Sequence, residues 1–221
     1  MRYVVGVVVM WLANHLGPTW PDNGAVSPRT VAIFAFDDME VLDFAGPYEV
    51  FNVAGELGEG NPFSVFSVGL TDGPAVGRGG FTVQPTYSLD TAPPPDVLVI
   101  PGGAGTRPLL KDERLLAWLR ERGAEVEVLL SVCTGALLLG AAGLLERQSA
   151  TTHHDAFNEL AALSPTTTVV RGQRFVRSSD RVVTSAGVSA GVDASLYVVQ
   201  SLTDQQTHDR TVAEMEWMWQ S

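Results

Sequence analysis

Cys133 is the only cysteine of the chain, and it stands in "SVCTGALLLGAAGLL", residues 131–145. The preceding "AEVEVLLSV" reads as a buried strand and the following "TGALLLGAAGLL" as a helix, so the cysteine takes the turn between them. A side chain on such a turn is raised above the carboxyl edge of a sheet, where open α/β proteins place their ligands. The unpaired N–H groups and partial positive charge of a helix start also favour thiolate over thiol. Cys133 is therefore a candidate nucleophile. Cysteine is equally at home as a small buried hydrophobe, and position alone leaves both readings open.

Other residues fall where they would assist a reactive sulfur. "PGGAG" at 101–105 follows another strand end, and the N–H of Gly103 or Ala104, with that of Thr134, would make an oxyanion hole; the plain alternative is a tight turn. "FDDMEVLDFAGPYEVF" carries Asp37, Asp38, Glu40 and Asp43 just after the first strand. Most such acids are solvated or cap helices. Asp43 differs, because it lies between Leu42 and Phe44 and just ahead of the Gly-Pro of an expected helix start. A carboxyl group in an apolar setting has a raised pKa and can exchange a proton with a thiol or substrate. Glu40 is the second candidate. His153 is placed to line a pocket near the cysteine, with a helix-start role for His154 or Asp155 as the plain reading. His153 and His154 are adjacent, so their side chains are expected to diverge rather than form a two-ligand face; no metal and no cofactor is expected.

These residues need a scaffold of alternating strands and helices. Apolar runs at "TVAIFAF", "PFSVFSVGL", "PPPDVLVIPGG" and "AEVEVLLSV" read as buried strands, and "QRFVRSS" with "RVVTSAG" as a strand pair. Between them, "GPYEVFNVAGELG" reads as a helix with Pro47 near its start and Gly55 or Gly58 near its end. "PLLKDERLLAWLRERG" reads as a helix ending at Gly123, and further helices fall at "HDAFNELAAL", "SAGVDASLYVVQSL" and "HDRTVAEMEWMW". "TDGPAVGRGGFTV" is a turn or hairpin. The alternation predicts a three-layer α/β sandwich, flavodoxin-like, with a mostly parallel sheet covered by helices on both faces.

Composition narrows the function classes. The 221 residues include 14 basic and 25 acidic ones, a net charge of −11 with no Lys/Arg cluster, which argues against direct nucleic-acid binding. One cysteine can form neither an intramolecular disulfide nor a Cys-rich zinc site. Residues 1–28 form an apolar extension whose run from Tyr3 to Ala13 is too short to span a bilayer. It reads as an added element or an upstream start in a cytoplasmic protein, with an export signal as the alternative. Residues 29–221 form one domain.

The motifs "TVAIFAFDDMEVLDFAGPYEVF", "PDVLVIPGGAGTRPLL", "SVCTGALLLGAAGLL", "ATTHH" and "VTSAGVSAGVD", in this order, resemble the ThiJ/PfpI superfamily, whose fold is related to class I glutamine amidotransferases. The resemblance runs from about Thr30 to Gln206, and is strongest to isonitrile hydratases and to ligand-sensing domains of AraC-type regulators. It implies Cys133 as nucleophile, Asp43 as the acid that shares a proton with it, Thr134 as the matching residue after the cysteine, Gly103 within the matching PGG turn, and Glu40 where other members keep a glutamate beside the thiol. Thr134 stands where peptidase-like members have His, which weakens a protease or amidase reading. Three functions follow as expectations: a cysteine-dependent hydratase turning an isonitrile into an N-substituted formamide, a non-catalytic small-molecule sensor, or a thiol redox protein. The resemblance also implies a homodimer and a small-molecule substrate.

Overall fold

The computed structural model describes residues 27–219. The expectations for residues 1–26 lie outside the described residues. Seven strands form the main sheet: β1 (Arg29–Ala35), β2 (Phe63–Gly69), β3 (Tyr87–Ser88), β4 (Val97–Ile100), β5 (Val128–Val132), β6 (Phe175–Arg177) and β7 (Val182–Ser185). Their order is β6-β7-β5-β4-β1-β2-β3, and every neighbouring pair is parallel except β6 with β7.

The helices longer than a single turn are α1 (Val41–Leu57), α2 (Glu113–Glu125), α3 (Gly135–Ala141), α4 (Phe157–Leu163), α5 (Ala190–Leu202) and α6 (Gln205–Glu214). α1, α5 and α6 pack together on one side of the sheet, while α3 packs with α2 and α4 on the other. Two covered faces explain why the strands read as unbroken apolar runs. Val31 to Ala35 on β1 are fully buried, as are Leu98 to Ile100 on β4 and Leu129 and Leu130 on β5. Each large side chain taken out of water here contributes about 1.5–3 kcal/mol.

Several helix boundaries differ from the sequence expectation; α6 spans Gln205–Glu214, capped by the Asp204 carboxylate, rather than running from His208 to Trp219. α1 begins at Val41, six residues before Pro47, which lies inside the helix. Proline lacks only the N–H that would reach the Asp43 carbonyl, so one rung is absent and the apolar face of Phe44, Val50, Phe51 and Ala54 still docks. α2 starts after Asp112, whose carboxylate accepts the Leu115 N–H at 3.1 Å, and it runs through Gly123 to Glu125. α3 stops at Ala141, two residues before Gly143 turns the chain at φ +79°. Two minor ladders complete the fold: Ala75–Val76 with Thr82–Val83, as the hairpin reading expected, and Ser149–Ala150 with Thr168–Val169, which it did not.

β1 lies inside the sheet between β4 and β2, and the chain leaves it first toward β2 and later returns to β4 on its other side. The carboxyl ends of β1 and β4 thus flank the point where the winding reverses, the place in such sheets where a crevice opens.

Among the described residues, no helix is long and apolar enough to cross a membrane.

Candidate active site

Four segments leaving the carboxyl edge of the sheet converge on Cys133: the start of α1 after β1, the Pro101–Gly105 turn after β4, the elbow after β5 and the 186–189 loop after β7. Cys133 itself has φ +55°, a left-handed conformation that non-glycine residues seldom adopt. The strain is held by its surroundings. Its N–H meets the carbonyls of Ser185 and Ala186 at 3.2 and 3.1 Å, and its own carbonyl accepts the Thr152 hydroxyl at 2.8 Å. Glycines give the elbow its room: a Cβ on Gly102 would lie 2.8 Å from the Cys133 Cβ, and one on Gly135 would strike the Ile100 carbonyl.

Asp43 is fully buried in the first turn of α1. Its Oδ2 accepts the Gly102 N–H at 3.1 Å and its Oδ1 the Val188 N–H at 3.0 Å, which fixes the carboxyl plane against the Cys133 thiol, its hydrogen-bond partner. Burial pushes the Asp43 pKa up to about 6, although the bonds from Cys133, Gly102 and Val188 pull the other way. Burial, followed by the charge of Asp43, pushes the Cys133 thiol up to about 12, against the opposing pull of Thr134. This corrects the expectation of a thiolate favoured by the helix start: desolvation outweighs the seven-residue α3. At neutral pH the pair holds one proton, and the sulfur has it.

Gly103 has φ +132°, and its N–H donates to Thr134 Oγ1 at 2.8 Å while that hydroxyl donates to the Gly103 carbonyl at 3.0 Å. The Gly103 N–H is thereby engaged, which removes Gly103 from the expected pair of oxyanion-hole alternatives, Gly103 or Ala104, while the Thr134 N–H bears on the sulfur. Ala104 is exposed at the rim of the same turn. Glu40 stands at the residue before α1 without a side-chain cap and pairs with Arg78 at 2.7 Å. Its charge reaches Asp43, raising that pKa slightly, but the thiol's hydrogen-bonding acid is Asp43.

His153 stands at the mouth. A Cβ on Gly187 would collide with its ring and approach Cys133 Sγ to 3.4 Å, so the imidazole and the sulfur both crowd the space that only a glycine leaves open here. Burial and then the neighbouring His154 hold His153 below its ordinary pKa. The two imidazoles do not diverge, contrary to expectation. The chain is extended at His153 and enters a single 3₁₀ turn at His154, which brings the ring centroids to 4.1 Å. With Asp155, the potential ligand atoms lie within 4.8 Å of one another, although His153 Nδ1 accepts the Asp155 N–H at 3.3 Å.

Sequence reasoning missed three contributors. Thr152 latches the elbow, Gly187 makes room for the imidazole, and Val188 orients Asp43 from a φ of +55°. Both "ATTHH" and "VTSAGVSAGVD" marked the segments, but nothing in valine signals a left-handed backbone. A cavity of about 430 Å³ opens at the same sheet edge beyond the β1 and β2 ends, lined by Phe36, Asp38, Leu70, Ala75 and Leu109 rather than by Cys133.

Comparison with known proteins agrees with this architecture. The model of the DJ-1/PfpI family matches residues 29–201. The chain is 33% identical over 190 residues to isonitrile hydratase of Pseudomonas putida, covering 85% of this chain and 78% of that one. It is 24% identical over 173 residues to the HTH-type transcriptional regulator GbdR of Pseudomonas aeruginosa, covering 78% of this chain and 46% of that one. The crystal structure of a ThiJ/PfpI family protein from Pseudomonas syringae superposes with a TM-score of 0.79 at 30% identity, covering 95% of this chain and 85% of that one.

Proposed function

The chain belongs to the DJ-1/PfpI family, and from that premise we propose that it is a cysteine-dependent hydratase that converts a small isonitrile into an N-substituted formamide. The observation that carries the reading is the Asp43 carboxyl, clamped by the Gly102 and Val188 N–H groups against the thiol of Cys133. The similarity to isonitrile hydratase of Pseudomonas putida supports the substrate class.

The mechanism uses the single proton of the pair. An isonitrile's terminal carbon is both weakly basic and electrophilic once protonated. The S–H proton passes through Asp43 to that carbon as the sulfur bonds to it, giving a thioimidate on Cys133. The ionised Asp43 then takes a proton from water as the water oxygen bonds to the same carbon, and hands that proton to the nitrogen. The carbon–sulfur bond breaks, the second water proton returns to the sulfur, and the formamide leaves. The Thr134 N–H steadies negative charge on the sulfur in both steps, a contact of a kind worth about 3 kcal/mol. A pKa near 6 suits an acid that must change state twice per turnover near neutrality.

Formamide release from a simple alkyl isonitrile, followed by NMR, tests the reading; it should be abolished in Cys133→Ala. Absence of turnover in the unaltered protein, or turnover that survives the substitution, overturns it.

The second reading, a non-catalytic ligand sensor, is favoured by the similarity to the regulator GbdR and by a thiol that is neutral and only 5% exposed. Calorimetric binding of an isonitrile or carbonyl compound without turnover distinguishes it. The same thiol state weighs against the redox reading, because oxidation requires an accessible thiolate.

A further inference from the structure

The 186–189 loop carries both Gly187 and Val188, and a buried carboxylate outside the site holds it. Asp193, in the first turn of α5, is fully buried. Among the described residues each of its oxygens has one partner: Oδ2 takes the Arg174 Nε–H, and Oδ1 takes the Trp217 Nε1–H at 2.8 Å. Arg174 then reaches the loop twice. Its guanidinium donates to Ser189 Oγ at 3.3 Å, and its carbonyl accepts the Ala186 N–H at 2.8 Å. Between these two anchors lies Val188, the β-branched residue at φ +55° whose N–H orients Asp43.

A valine does not rest in that conformation unaided: the Gly187 and Val188 carbonyls accept the first N–H groups of α5 and the Ala186 carbonyl accepts the Cys133 N–H, while the Arg174 contacts just named pin the loop on either side of Val188. Trp217 lies on the segment after α6, 16 positions beyond the last residue matched by the family model. Its indole packs against the core and its backbone N–H donates to the Val212 carbonyl at 3.0 Å, so the ring is a fixed donor.

We propose that Trp217 is a positioning residue for the Cys133 site: through Asp193 and Arg174 it holds the 186–189 loop in the strained form that aims the Val188 N–H at Asp43. The inference rests on the reading of Asp43 as the working acid, but its test does not require turnover. Losing the Trp217 N–H leaves one oxygen of a buried carboxylate unpartnered, so Asp193 turns, Arg174 follows it, and the loop relaxes away from Asp43. An N–H bond to a carboxylate stabilises its ionised form, and its loss moves the titration upward. The titratable groups facing Asp43 are the Cys133 thiol and, more weakly, Glu40, and neither contacts Trp217.

The test is a carboxyl ¹³C NMR titration of Asp43, assigned with Asp43→Asn, in the unaltered protein, in Trp217→Phe, which keeps the ring and deletes the donor, and in Ser189→Ala, which cuts the network at its other end with little burden on the fold. The midpoint should rise by roughly half a pH unit or more in Trp217→Phe and by less, in the same direction, in Ser189→Ala. A midpoint unmoved in both overturns the proposal, whatever the change in melting temperature; if Trp217→Phe does not fold, the Ser189→Ala titration decides. A shifted midpoint in a protein that hydrates no isonitrile leaves the positioning role standing and removes the substrate assignment. Turnover with an unshifted midpoint does the reverse.

Discussion

Replacing Asp43 with asparagine should make Cys133 more reactive and the protein less active, two effects of opposite sign from one substitution. The thiol rises from an ordinary value near 9 to about 12, with burial the larger cause and the Asp43 charge the second. An ionised carboxylate at hydrogen-bond range shifts a neighbouring acid by about one pH unit or more, so its removal is worth about 1.4 kcal/mol. At pH 8 the thiolate fraction then grows about tenfold, while intrinsic nucleophilicity falls with pKa, leaving a net gain of about threefold in attack on iodoacetamide. Hydration should fall by roughly 10²- to 10⁴-fold, because the proton relay is gone. Asparagine offers one oxygen where Gly102 and Val188 each donate to a separate one, so a loss of about 1–3 kcal/mol of stability accompanies the change. Alkylation followed by mass spectrometry across pH 7–10 reads the first effect, and formamide production reads the second. If alkylation is unchanged or slower in a folded Asp43→Asn protein, the carboxylate does not govern the sulfur and the electrostatic reasoning fails.

Two further outcomes follow from the same geometry. Asp43 is ordinarily near 3.8 and is held at about 6 in the folded chain, so the folded state carries an extra proton between those values. Its stabilising contribution is full below about pH 4 and is lost as pH rises to about 6, by about 3 kcal/mol, and the difference between urea-unfolding curves of the unaltered protein and Asp43→Asn should trace that slope. Gly187→Ala should push the His153 ring aside and crowd the approach to Sγ, cutting alkylation and turnover together; a variant as reactive as the parent would show that substrate does not enter there.

Much of this arrangement can be read without coordinates. The strands announce themselves because burial on two faces demands unbroken apolar runs, and the elbow does so because a strand followed by Cys-Thr-Gly-Ala has few other ways to turn. α1 misled for a physical reason: Pro47 reads as a helix start, since proline is favoured there, whereas tertiary packing of Phe44 and Val50 extends the helix back to Val41. The resting charge of the thiol was also misjudged, because a helix terminus is visible in sequence while depth of burial is not. Val188 and Trp217 lie further from view. One is a residue type that contradicts its own backbone angle, and the other meets Asp193 across 24 positions through a single indole N–H.

The left-handed backbone at Cys133 has a consequence for anyone engineering this scaffold. A non-glycine side chain in that region costs on the order of 1–3 kcal/mol, so a search for sturdier variants scored on melting temperature alone would be drawn to glycine at position 133. Selection for robustness and selection for chemistry therefore pull this one codon in opposite directions, and a library screened without a functional readout would drift toward an inert, more heat-tolerant shell.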